Sequence, residues 1–139
     1  MLSYIAQPCS RLGLRNYTLT IRRRLGIENN FYFPVVEFLE LMSEFFPKFH
    51  FEVTENHELP LGVHADMDAA AHLIRVKQNV YDGACVGNGR DRMTIAHEIG
   101  HYMTLCVLGF RLQRNFSNAP VKTYQDPEWQ AKCFAGELL

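Results

Sequence analysis

Two histidines four residues apart with a glutamate beside the first, His97-Glu98-Ile99-Gly100-His101, form the pattern H-E-x-x-H. If this segment is helical, residues four apart differ by about 40° around the axis, so both imidazoles leave one face a turn apart and can share a zinc ion. Glu98 stands about 100° from His97, beside such an ion rather than on it, where a carboxylate can take a proton from water. With six His and ten Glu in the chain, the pattern arises by chance in roughly one chain in fifty of this composition, so other residues have to agree with it. The metal-free alternative is a helix with two hydrogen-bonded histidines. It would set two imidazoles and a carboxylate among Ile95, Ala96, Ile99 and Gly100, which is costly without partners.

A catalytic zinc needs a third protein ligand and an open position for water. The compact extension H-E-x-x-H-x-x-G-x-x-H is absent, because Thr104 stands at its glycine and Val107 at its third histidine. The ligand therefore comes from elsewhere. Glu128 is followed by Ala131, Ala135 and Leu138 at helical intervals, which places its carboxylate on the face of an inward-packing apolar stripe. The plainer reading of Glu128 is a first-turn acid favoured by the helix dipole. Its competitors are weaker: Asp126 is placed to cap the helix, Glu137 lies about 180° around it, and Cys133, about 140° away, reads as a core thiol.

The elements that must hold these residues follow from periodicity. Pro34 opens a helical pattern of Val35, Phe38, Leu39, Met42, Phe45 and Phe46 that ends before Pro47. From Lys48 the period becomes two, with Phe49, Phe51 and Val53 on one face of a strand. Further extended stretches are expected around 61–65 and 72–76, together making a small antiparallel sheet. The glycines of 82–89 read as a loop. A helix over 91–108 carries the histidines and is ended by Gly109, 110–125 reads as irregular, and Asp126-Pro127 starts a last helix. The expected fold is α+β in a single domain over 1–139. A cleft is expected between the edge strand and the metal, where an extended peptide can add by main-chain hydrogen bonds.

Composition excludes some classes of function. The 139 residues are 47% hydrophobic, enough for a core, and 14 Lys and Arg against 15 Asp and Glu leave a net charge of −1. Nothing global draws this chain to nucleic acid, so no direct nucleic-acid partner is expected. Arg11, Arg15, Arg22, Arg23 and Arg24 are read as a solvated helix face rather than a DNA patch. Cys9, Cys85, Cys106 and Cys133 are widely spaced and read as reduced thiols. With no signal-like or membrane-spanning run, a cytoplasmic protein without membrane contact is expected.

The runs Arg90-Asp91-Arg92-Met93-Thr94-Ile95-Ala96-His97-Glu98-Ile99-Gly100-His101-Tyr102 and Glu128-Trp129-Gln130-Ala131-Lys132-Cys133-Phe134-Ala135-Gly136-Glu137-Leu138-Leu139 resemble the ImmA/IrrE family of metallopeptidases. That family carries R-x-R-F-T-x-A-H-E-L-G-H followed by E-x-x-A-N-x-F-A-x-x-L-L. Met93 replaces its Phe and Lys132 its Asn. The resemblance implies a zincin-like active-site helix, one zinc per chain (manganese as the alternative metal) on His97, His101 and Glu128, and Glu98 as catalytic acid/base. It also implies a protein substrate, a helix-turn-helix repressor of the XRE type, whose cleavage or inactivation switches on mobile-element or stress-response genes. The rival expectation is a metal-stabilised module that binds a repressor without hydrolysis. An oxyanion donor would be sought among Tyr102, His64, His72 and Arg92, none of which the spacing singles out.

Overall fold

The computed structural model describes residues 4–114 and 120–139. Among these are five α-helices, a three-stranded sheet and a separate two-stranded ribbon. The ribbon pairs β1 (Tyr4–Ala6) antiparallel to β5 (Leu112–Arg114). Between them in the chain come α1 (Arg11–Arg24), α2 (Val35–Phe45), β2 (His50–Thr54), β3 (Ala65–Asp68), β4 (Leu73–Lys77), α3 (Gln78–Cys85) and α4 (Gly89–Tyr102). A π-helical turn over Met103–Val107 prolongs α4, and α5 (Pro127–Leu138) closes the chain. The sheet packs on α4, α4 on α5, and α5 on α1.

The sheet is mixed, which corrects the antiparallel expectation. Its order is β2-β4-β3, with β2 parallel and β3 antiparallel to β4. Period-two alternation reports a buried face but not which strand lies alongside, and burial decides that here. Ile74 and Val76 of β4 are fully buried, so the most apolar strand takes the centre, while Ala65-Asp66-Met67-Asp68, with two aspartates, forms an edge. Asp66 lies opposite Arg75 and accepts from its Nε at 2.9 Å. Both outer strands begin later than the sequence suggested, at His50 and Ala65.

The expected loop over 82–89 is also corrected, because α3 runs to Cys85. Gly83 is a packing glycine inside that helix: a Cβ there would run into the Asp91 side chain. Gly87, at φ +89°, ends the helix, and the Asn88 side chain then accepts from Asp91 N to cap α4. The expected helix over 91–108 is met by α4 together with its π-helical turn, and Gly109 (φ +67°) follows it. Residues 110–125 hold β5 and a 3-10 turn over Thr123–Gln125, and 115–119 of that stretch lie outside the described residues.

The arginine-rich start is helical as expected, but not all of it is solvated. Arg22 is buried, donating to the carbonyls of Asn30 (2.8 Å) and Leu138 (2.6 Å) with its guanidinium over the Phe33 ring. Arg15 donates to Glu137 at 3.0 Å. All four cysteines are free thiols. Among the described residues no helix is long and apolar enough to cross a membrane.

Candidate metal centre

Helix α4 forms because its apolar residues share one side. Ile95, Ile99 and Tyr102 fall within about 60° of one another around the axis and are buried in the core with Phe49 and Ile74. The Tyr102 ring meets Phe49 edge-on at 4.7 Å, and its hydroxyl lies 2.9 Å from His72 Nδ1. His72 closes the turn from β3 to β4 in a left-handed conformation, φ 52°, its backbone N donating to the Ala69 carbonyl. With that side sunk in the core, His97, Gly100 and His101 are turned to the other.

That other side meets α5. Gly100 is the reason the two helices come close: a Cβ added to it would stand 2.7 Å from the Ala131 carbonyl oxygen and 3.2 Å from its Cα. Asp126 caps α5 as the sequence suggested, its side chain accepting from Glu128 N at 3.0 Å, with Pro127 in the first turn. Ala131 lies about 60° around the helix from Glu128, so seating Ala131 on Gly100 carries Glu128 to the histidines.

Three side chains converge as a result. His97 Nε2 lies 3.1 Å from His101 Nε2 and 3.2 Å from Glu128 Oε2, and His101 Nε2 lies 3.2 Å from Glu128 Oε1. These three side chains can hold a metal ion. The fit can be checked against tetrahedral coordination, where ligands about 2.1 Å from an ion stand about 3.4 Å from one another. The His97–His101 separation, and the distance from each histidine to one of the two Glu128 oxygens, are within a few tenths of an ångström of that edge. The donor set, two imidazoles and a carboxylate, also suits a divalent ion. Burial lowers the pKa of His101 despite the adjoining Glu128 carboxylate, which favours the neutral, ligating imidazole.

Glu98 sits between the two sides of α4, half-buried, and makes no part of this triangle. Its carboxyl is pushed up to about 8, first by burial and then by the negative charges of Asp66 and Glu128. Without added positive charge it holds a proton near neutrality, which suits a group that both takes and returns one.

Of the candidate oxyanion donors, Tyr102 and His72 face each other, and Arg92 donates to the Phe33 carbonyl at 2.6 Å and stacks on Tyr32. His64 is exposed ahead of β3. Of the competing ligands, Asp126 caps its helix, Glu137 pairs with Arg15, and Cys133 is buried in the core.

Sequence reading missed two contributors. Gly100 had a signal: glycine inside a helix costs about 1 kcal/mol relative to alanine and asks for a packing reason. Asp66, which adds to the field at Glu98, had none, because only the folded sheet brings its strand to α4. Compared with family models, with curated proteins and with solved structures, the chain has no match.

Proposed function

We propose that this chain is a cytoplasmic, zinc-dependent peptidase of the ImmA/IrrE kind, with α4 as a zincin-like active-site helix. In this reading His97, His101 and Glu128 hold one ion per chain, zinc or manganese, and the substrate is a protein, a repressor of the XRE type. The observation that carries the proposal is the meeting of three side chains from two helices, with ligand atoms 3.1–3.2 Å apart, next in sequence to the half-buried Glu98, which is not one of the three.

When bound, the divalent ion supplies Lewis acidity: it polarises a peptide carbonyl, lowers the pKa of water toward ~7 and draws Glu98 toward its ionised form. Glu98 then accepts a proton from water at a carboxylate oxygen as the water oxygen bonds to the carbonyl carbon. It returns that proton to the departing amine nitrogen as the C–N bond breaks. The edge strand β3, packed against α4, has its outer side free of any strand among the described residues, and an extended substrate can pair there by main-chain hydrogen bonds.

The test is incubation with an XRE-type repressor and zinc or manganese, read as cleavage on a gel, for the wild type and Glu98→Gln. The substitution keeps the side-chain shape and removes the proton acceptor. Metal content is expected to persist while hydrolysis falls by at least ~10²-fold. If a metal-loaded Glu98→Gln protein inactivates the repressor undiminished, the chain acts by binding, and the peptidase reading is wrong.

A further inference from the structure

Glu128 is 62% exposed, so its own packing cannot hold its carboxylate in place. Its position is set by the backbone of α5, which packs on α1 and is gripped at two further points near its start. One grip is the contact of Ala131 with Gly100. The other is Gln130, which lies about 200° around the helix from Glu128 and so faces away from the histidines.

Gln130 is polar yet only 1% exposed. Its Nε2 donates to the Gln7 carbonyl at 2.6 Å and to the Tyr124 carbonyl at 2.9 Å. The Tyr124 carbonyl also accepts from Cys9 N at 2.9 Å, and Gln7 N donates to the Arg111 carbonyl at 3.1 Å. One amide group thus ties the first turns of α5 to the segment after β1 and to the 3-10 turn that leads into the helix. A buried amide with two acceptors fixes both the rotation and the axial position of a helix, which an apolar contact alone leaves free to slide.

We infer that Gln130 is a positioning residue for the metal centre, through which the N-terminal segment sets where the Glu128 carboxylate stands relative to His97 and His101. The inference rests on the metal-site reading above. Residues that orient a ligand without touching the ion commonly change metal affinity by about 10- to 100-fold. Gln130→Met, which keeps the length but cannot donate, is expected to weaken zinc binding within that range.

The decisive measurement is a double-mutant cycle on the full chain, with zinc affinity read by chelator competition and folding followed by circular dichroism. Wild type, Gln130→Met, Glu128→Ala and the double variant are compared. If Gln130 acts through Glu128, its removal weakens zinc binding in the wild type and adds nothing once Glu128 is gone. Equal losses in both backgrounds, or no loss in either, overturn the inference while leaving the metal site standing. A wild type that binds no zinc overturns both. Should Gln130→Met not fold, Gln130→Ala is the second variant. Failure of both to fold makes Gln130 a folding residue and overturns the positioning role.

Discussion

One side of α4 carries Ile95, Ile99 and Tyr102 and is sunk in the apolar core; the other carries His97, Gly100 and His101 and meets α5. The first side is filled by large side chains that complement Phe49 and Ile74. The second is opened by the absence of a side chain at Gly100, so that a backbone can approach and deliver a carboxylate. Stability and site assembly are thus assigned to different faces of one helix. Glu98 lies between them, half-buried, and burial raises its pKa while the charges of Asp66 and Glu128 add to that rise.

This division can be broken most sharply on the core side. Ile99→Ala removes a fully buried side chain and is expected to cost ~2–5 kcal/mol in denaturant unfolding, the range for emptying a packed site. The folded fraction should still bind one zinc per chain. A loss below ~1 kcal/mol would mean that this face does not carry the fold.

Gly100→Ala probes the other side. The added methyl favours the helix by about 1 kcal/mol yet meets the Ala131 backbone, which cannot swing away as a side chain can. A net destabilisation of ~1–3 kcal/mol is expected, together with weaker zinc binding as α5 is pushed from α4. Unchanged stability with unchanged zinc affinity would show that the close approach is incidental.

Titration sharpens the place of Glu98. Its carboxyl is raised from the ordinary 4.5 to about 8 in the folded, metal-free chain. Between those values the folded state holds a proton that the unfolded state has released, so this contribution is full below about pH 4.5 and is lost as pH rises through 8. Chemical denaturation of the metal-free protein from pH 5 to 8 should show the loss. Glu98→Gln should flatten it. A contribution from Glu98 that grows over this window would contradict its buried, acid-flanked setting.

What could be read from the chain divides along similar lines. His97, Glu98 and His101 were legible because four-residue spacing in a helix is local geometry, and Asp126-Pro127 announced α5 because capping is local too. The approach of Glu128 depended on contacts across about thirty residues; the apolar stripe from Ala131 to Leu138 pointed its side chain inward, whereas it stands exposed at the surface beside the two histidines. The parallel pairing of β2 with β4 was hidden because alternation carries no strand direction. Helix α3 was hidden because Gly83, a contact with Asp91, looks in sequence like a turn glycine. Arg22 looked like one of five surface charges until the carbonyl ends of α5 came to lie beside it.

The central claim is a single metal centre built from α4 and α5. Its most direct test is zinc content by elemental analysis after purification in zinc-replete buffer and removal of free metal. About one zinc per chain is expected for the wild type, and essentially none for His97→Ala and His101→Ala, since each breaks the imidazole pair on α4, whereas Glu128→Ala keeps that pair and binds zinc more weakly. Full zinc retention in either histidine variant, or a folded wild type that binds none, would contradict it.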